Sequence, residues 1–193
     1  MLASASPARL ALLRAAGLHP EVEVSGVDES LPDVSDPHEA VALLARRKAD
    51  AVAARASGAL VIGCDSLLLL DGALLGKPAD AAEATARWHT MRGRSGCLLT
   101  GHALLDTASG RSATGTGATL VRFGTPDDEE IAAYVATGEP LAVAGAFTLD
   151  GRSAPFVEGI DGDAGNLLGL SLPLLRGLLA ELDVRITDLW EAP

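Results

Sequence analysis

The sequence predicts an α/β protein built around a mixed β-sheet. Segments with apolar residues at helical intervals are interspersed along the chain with short apolar runs that are typical of strands. The dipeptide Asp71-Gly72, between two leucine-rich runs, is a strong signal for a β-hairpin and therefore for antiparallel pairing. Because helices, strands and hairpins occur together, a mixed sheet with flanking helices is favoured over a purely parallel one.

Length and composition narrow the class of protein. The chain has 193 residues, enough for one substantial domain or two lobes sharing a core. Although 48% of the residues are hydrophobic, no apolar run approaches the roughly 18 to 20 residues of a spanning helix. The first residues lack the pattern of a signal peptide, so we expect a cytoplasmic location without membrane association. A net charge of -11 argues against nucleic-acid binding, and two cysteines are too few for a disulfide framework.

The N-terminal segment predicts a strand, a serine-rich turn and a helix. Leu2 and Ala3 form the strand, Ser6 is a natural N-cap, Pro7 suits the first helical position, and Gly17 ends the helix. The free amides at such a helix start bind anions well. A merely well-capped helix explains the same residues equally well.

The next segment predicts a strand over 22–27, a loop over 30–37 and a helix over 38–56. Lys48 lies four residues after Leu44 and so borders the apolar stripe of that helix. A functional lysine and a lysine whose ammonium reaches water from the edge of a core are equally compatible with this position.

Asp65 is the most unusual residue of the central region. It stands between the apolar runs 59–63 and 67–70, where a carboxylate requires a partner, a metal ion or a pocket. Lys77 follows twelve residues later, after the hairpin has reversed the chain direction. Lys48 and Lys77 are the only lysines beside thirteen arginines. Two explanations remain open: the two lysines occur by chance, or their positions require the compact ammonium of lysine where the planar guanidinium of arginine would not serve.

The rest of the chain continues the mixture of helices and strands. A helix is predicted from the cap Asp80 to Met91, followed by strands at 98–105 and 118–123. Residues 125–128 cap a further helix that ends at Val135. Strands at 146–151 and 156–160, a loop over 159–169 containing Asn166, and a last helix starting at Ser171 complete the prediction.

The serine-rich helix start, an Asp-Glu pair, the two lysines and the carboxylate between apolar runs together suit the binding of a polyphosphate with a divalent cation. Carboxylates bind Mg²⁺ through hard oxygen atoms, and lysine or arginine neutralises the remaining phosphate charge. The sequence has no Walker loop, no Gly-x-Ser-x-Gly elbow and no His-Glu-x-x-His motif. Cys64 is disfavoured as a nucleophile because the adjacent Asp65 raises the pKa of its thiol.

The order and spacing of several short motifs resemble the Maf family of nucleoside triphosphate pyrophosphatases, which are also discussed as septum-formation inhibitors. The motifs are Ser4-Ala5-Ser6-Pro7-Ala8-Arg9, Val27-Asp28-Glu29, Lys48-Ala49, Gly63-Cys64-Asp65-Ser66, Gly76-Lys77-Pro78, Ala144-Gly145-Ala146-Phe147 and the stretch 166–173. The Cys-Asp-Ser triplet and the leucine-rich ending are most similar to the actinobacterial branch.

The resemblance implies one Maf-like domain over 1–193, with two lobes around a long, mixed, twisted sheet and an active cleft between the lobes. It also implies hydrolysis of canonical or modified nucleoside triphosphates to the monophosphate and pyrophosphate, as housecleaning of the nucleotide pool. The expected cofactor is a divalent cation, Mg²⁺ or else Mn²⁺ or Co²⁺. A homodimer and a link to cell-division arrest follow from the same resemblance.

The resemblance also assigns roles to single residues. Asp65 matches the proton acceptor, and Glu29 together with Asp65 matches the metal-associated acidic positions. The residues that match substrate-binding positions are Ser4, Ser6, Arg9, Lys48 and Lys77. Three positions associated with base specificity depart from common family residues, namely Ala8, Ser66 and Asp150.

Two other hypotheses remain open at this stage. One is a nucleotide-binding regulator of septum formation that acts through a protein partner without turnover. The other, a generic nucleotide-binding module, is disfavoured because the sequence gives no structural reason for a charged residue at Asp65. For the pyrophosphatase, we expect Lys77→Ala to impair turnover far more than Arg87→Ala on the following helix.

Overall fold

The computed structural model describes residues 1–190, and this part of the chain has the predicted α/β class. Its α-helices are α1 (Pro7–Ala15), α2 (Pro37–Ala53), α3 (Ala81–Met91), α4 (Asp128–Ala136), α5 (Ala164–Leu167) and α6 (Leu172–Glu181). Its strands are β1 (Leu60–Leu70), β2 (Ala73–Leu75), β3 (Ser95–Asp106), β4 (Ser112–Phe123) and β5 (Val157–Asp161). The last three residues of the predicted 1–193 domain lie outside the described residues.

The strands form a five-stranded sheet in the order β2-β1-β3-β4-β5. The pairs β1–β2 and β4–β5 are antiparallel, while Leu2 adds isolated parallel bridges to Val22 and Ile62. The predicted hairpin joins β1 to β2 through Asp71 and Gly72, whose φ angles of 48° and 82° are the positive values that a type I′ turn requires.

The predicted helix caps are present because each depends only on neighbouring residues. Ser6, Asp80, Asp127 and Ser171 are the N-caps of α1, α3, α4 and α6, and each side chain accepts a hydrogen bond from an amide in the first turn. Gly17 follows α1 with a φ of 78°, a left-handed conformation that ends helices.

The chain divides into two compact units. The first comprises Met1–Asp65, Thr100–Gly117 and the chain from Gly169 onward, and the second comprises Ser66–Leu99 and Ala118–Leu168. The core of the first unit is leucine-rich, with a separate alanine- and valine-rich cluster beside α2. The core of the second unit surrounds the buried Trp88, whose ring makes edge contacts with aromatic residues.

Three predicted segments differ from the structure. Only Val22 of the predicted strand 22–27 is bridged, because its partner Leu2 leads directly into the turn before α1. The predicted strand 146–151 is wrong: no strand covers these residues, and the first of them, Ala146, has a φ of 61°, which extended chains do not adopt. The predicted loop 159–169 contains the end of β5 and the short helix α5.

No helix within residues 1–190 combines the length and the apolar character that crossing a membrane requires.

Candidate active site

The structure brings Lys48, Asp65 and Glu29 together within the first unit. Asp65 lies in the middle of β1, and Lys48 lies on α2, with side chains only 10% and 8% exposed. The Lys48 ammonium donates a hydrogen bond to Asp65 Oδ1, and its Nζ lies 2.7 Å from Glu29 Oε1. Because the buried ammonium meets two carboxylates, the alternative of a lysine that extends from a core edge into water is wrong.

Close packing of α2 on the sheet explains how Lys48 reaches Asp65. A Cβ atom added to Gly63 of β1 would lie 2.4 Å from the carbonyl oxygen of Ala45. One added to Gly101 of β3 would lie 2.1 Å from the carbonyl oxygen of Val41. Both distances are far below van der Waals contact, so only glycine permits this approach. Two glycines within apolar strand segments are the sequence signal for this packing, and the sequence motifs did not predict it.

Burial determines the protonation behaviour of Asp65. Desolvation raises the pKa of the carboxyl group above its usual value, and the charge of Lys48 is the main effect that opposes this increase. Arg9 also lowers the pKa, whereas Glu29 raises it. The result is a carboxylate with a raised pKa, which accepts a proton more readily than an exposed aspartate does.

Arg9, Ser4 and Ser6 form one hydrogen-bonded network beside the strand residue that precedes Asp65. The buried Arg9 guanidinium donates to the carbonyl of Gly169 at 2.7 Å, to the carbonyl of Cys64 at 2.9 Å and to Ser4 Oγ at 3.0 Å. Ser4 Oγ also accepts from the Ser6 amide, and Ser6 Oγ accepts from the Arg9 amide. Two carbonyl oxygens therefore stabilise the Arg9 cation at the start of α1.

The remaining predicted site residues belong to the second unit or line the start of α1. Lys77 is exposed, and its ammonium makes no ion pair with residues 1–190. Asp150 is exposed and accepts a hydrogen bond from the hydroxyl of Thr148. Ala8 and Ser66 are partly exposed.

His102 supports the Arg9 network and was missed in the sequence. Its buried ring accepts a hydrogen bond from the Ser171 amide at Nε2, at 2.8 Å, and Nδ1 lies 3.0 Å from the carbonyl oxygen of Thr100. Since an amide only donates and a carbonyl only accepts, the ring is neutral with its proton on Nδ1. This bond holds the turn before α6, which includes the carbonyl of Gly169 that Arg9 contacts. A histidine among apolar residues of a predicted strand was the available signal.

The donor set fits a hard divalent cation that takes few protein ligands. Glu29 and Asp65 converge on the Lys48 ammonium, so two carboxylates already surround one positive charge. No group of three or more potential metal-binding side chains occurs in residues 1–190. Mg²⁺ commonly uses one or two carboxylates and takes its other oxygen ligands from substrate phosphates and water.

Comparison with known proteins decides the family. A family model described as "Maf-like protein" matches residues 1–182. The chain belongs to the Maf-like protein family. The expected actinobacterial type is confirmed by relatives of this Maf-like protein in Streptomyces coelicolor and Salinispora tropica, each named a nucleoside triphosphate pyrophosphatase.

The similarity of the Maf-like chain to these relatives extends over nearly their whole length. The Streptomyces coelicolor protein is 67% identical over 192 residues, which cover 98% of this chain and 93% of the relative. The Salinispora tropica protein is 58% identical over 195 residues, covering 98% and 86%. A cyanobacterial relative of the same name, from Nostoc punctiforme, is 50% identical over 191 residues, covering 99% and 97%.

Proposed function

We propose that this Maf-like protein is a nucleoside triphosphate pyrophosphatase that releases a nucleoside monophosphate and pyrophosphate. The observation that carries the proposal is the buried Asp65 carboxylate on strand β1, paired with the Lys48 ammonium in a chain of this family. The names of the similar proteins from Streptomyces and Salinispora support the same activity. Removal of unwanted or modified triphosphates from the nucleotide pool is the proposed role.

In the proposed reaction Asp65 is the general base. It accepts a proton from a water molecule while the water oxygen attacks one phosphorus atom of the α–β anhydride. The bridging bond then breaks, and pyrophosphate and nucleoside monophosphate separate. The raised pKa of Asp65 suits this step, because a base is most effective when its pKa lies near the working pH.

Cationic and polar residues would hold the triphosphate. We assign this role to Lys48, Lys77 and Arg9 together with Ser4 and Ser6. Local positive charge is needed because the chain carries a net charge of -11, which repels a polyphosphate at long range. The Lys48 ammonium contacts two carboxylates, so it would exchange carboxylate contacts for phosphate contacts when substrate binds.

Glu29 and Asp65 would hold the divalent cation, with Mg²⁺, Mn²⁺ or Co²⁺ as candidates. When bound, such a cation neutralises phosphate charge and lowers the pKa of a coordinated water. Base specificity is assigned to Ala8, Ser66 and Asp150. A cytoplasmic location and a homodimer complete the proposal, while the position of the active cleft and the link to cell division stay predictions from the resemblance.

A pyrophosphate-release assay over canonical and modified triphosphates, each with Mg²⁺, Mn²⁺ or Co²⁺, tests the proposal. We expect equal amounts of monophosphate and pyrophosphate from at least one substrate, and no reaction after removal of the metal with a chelator. Absence of turnover throughout the panel, or release of single phosphate groups, would overturn the proposal. The same panel identifies the preferred base.

A further inference from the structure

Residues 76–79, here called the Lys77 segment, are fixed by two side chains of helix α3. On one side of Lys77, the Gly76 carbonyl accepts a hydrogen bond from Arg87 Nη1 at 2.5 Å. On the other side, the Ala79 amide donates to Glu83 Oε2 at 2.7 Å. All of these residues lie in the second unit. Lys77 therefore stands between two backbone groups that are bound from the same helix.

The two side chains that hold the segment also hold each other. Glu83 Oε1 accepts from Arg87 Nη2 at 2.6 Å and from Arg87 Nε at 3.1 Å. The Arg87 side chain is only 12% exposed, so its planar group is fixed more firmly than that of a typical surface arginine. Glu83 remains ionised, since the hydrogen bond from Ala79 and the one from Arg87 both lower its pKa.

Other contacts make the upstream end of the Lys77 segment rigid. The Gly145 amide donates to the same Gly76 carbonyl at 3.0 Å. A Cβ atom at Gly145 would lie 2.8 Å from Leu68 Cβ, and the φ of Gly145 is 70°, so this donor is itself held in place by close packing. The following residue, Pro78, is buried and has a fixed φ. The backbone of Lys77 consequently has little freedom.

The side chain of Lys77 has the opposite character. It is exposed, and no ion pair within residues 1–190 restricts it. A lysine side chain loses about 2 kcal/mol of rotamer freedom when it is fixed, so the position of its backbone determines how readily the ammonium reaches a phosphate. The position of the backbone affects the rate of catalysis, because a displacement of a catalytic or substrate-binding group by about 1 Å can lower the rate about 100-fold.

We propose that the Glu83–Arg87 ion pair positions Lys77 for the triphosphate, and that Arg87 is therefore a positioning residue of the active site. The inference rests on the proposed function through the role given to Lys77. It also changes the comparison of Lys77→Ala with Arg87→Ala that the sequence suggested. Arg87 is not a neutral reference for Lys77, because its guanidinium holds the carbonyl that precedes Lys77.

A double-mutant cycle tests this role. We expect Arg87→Met to lower kcat/KM about 10-fold in the otherwise unchanged protein, with the effect in the same parameter, kcat or KM, as that of Lys77→Met. In the Lys77→Met background, Arg87→Met should lower kcat/KM less than about 3-fold, since residues acting as a unit are not additive. Equal effects in both backgrounds would overturn the inference.

Arg92→Met is the matched control. Arg92 follows the same helix and pairs with Asp128 at 2.6 Å, but that pair does not contact the Lys77 segment. We expect kcat/KM within about 2-fold of the unchanged protein, as for a surface ion pair of small energetic value. A loss as large as that of Arg87→Met would show that helix stability, and not the Lys77 segment, explains the effect.

Hydrogen exchange separates this inference from the proposed function, because it requires no turnover. In Glu83→Gln and Arg87→Met, the Ala79 amide should exchange at least about 10-fold faster, while amides of β4 keep their protection. Unchanged exchange at Ala79 would contradict the positioning role even in an active enzyme. Faster exchange in a protein that hydrolyses no triphosphate would overturn the proposed function and leave the contact itself intact.

Discussion

Replacement of Lys48 by methionine should destabilise the protein, and the cost should grow with pH. The substitution keeps the length and volume of the side chain but removes the charge beside Asp65. Both side chains of the pair are about one-tenth exposed or less, at 8% and 10%. Removing one partner of such a buried pair costs about 3 to 5 kcal/mol. The Glu29 contact adds little, because that side chain is 55% exposed.

We expect the lower end of this range at pH 8, about 3 kcal/mol, because Asp65 can take up a proton once its partner is lost. For a chain of this length, that corresponds to a decrease of about 6 to 12 °C in Tm. The double substitution Lys48→Met with Asp65→Asn should recover most of the loss, since no unpaired carboxylate then remains buried.

The sign of the pH dependence follows from the pKa of Asp65. Burial raises this pKa in the folded state, and Lys48 opposes the increase, so the pKa rises further in Lys48→Met. A carboxyl group with a folded pKa above its unfolded value contributes stability below the unfolded pKa and loses it as pH rises through the folded pKa. The variant should therefore lose less stability at pH 5 than at pH 8.

Urea denaturation at both pH values, followed by tryptophan fluorescence, measures the effect. Lys77→Met is the matched control, because this lysine is exposed and has no ion pair within residues 1–190; its free energy of unfolding should stay within about 0.5 kcal/mol of the original. A cost below about 1 kcal/mol for Lys48→Met, or equal costs at both pH values, would refute the reasoning.

Three further predictions concern the surroundings of the site. Gly63→Ala should destabilise the protein by at least about 1 to 3 kcal/mol and lower turnover, whereas Gly177→Ala, in open space on α6, should be neutral or stabilising in thermal denaturation. Ser6→Ala removes the cap of α1 and should cost about 1 kcal/mol; an unchanged Tm would contradict the cap. Burial raises the pKa of the Cys64 thiol to about 11, so a thiol reagent at pH 8 should modify it only after denaturation, and rapid labelling in the native protein would be contrary to this structure.

Features that depend on neighbouring residues were predictable from the sequence. The caps Ser6, Asp80 and Ser171 and the turn at Asp71-Gly72 follow from local hydrogen bonding and backbone preference. The predictions that were wrong concern segments whose conformation depends on tertiary packing. Gly145 and Ala146 interrupt an apolar run that reads as a strand, and the buried ring of Trp88 donates to the Ala146 carbonyl at 2.9 Å. This contact joins residues far apart in the sequence, so the local sequence pattern gives no sign of it.

In the candidate site, too, local features were predictable from the sequence and long-range contacts were not. An isolated carboxylate between apolar runs pointed to Asp65, because burial of an unpaired charge is unfavourable wherever it occurs. Its partner Lys48 lies 17 residues away in the sequence and was placed by the close approach at Gly63 and Gly101, a long-range property. The contact of Arg87 with Gly76 was not predicted, because a helical arginine normally faces water and this contact depends on the path of the chain before α3.

The steady-state turnover of Asp65→Asn tests the central claim most directly. The substitution preserves the size and shape of the side chain and removes the proton acceptor. With the preferred triphosphate and metal, kcat should fall about 100- to 10,000-fold, while Tm and the far-ultraviolet circular dichroism spectrum show a folded protein. Pyrophosphate release at an unchanged rate by folded Asp65→Asn would contradict the assignment of Asp65 as the general base.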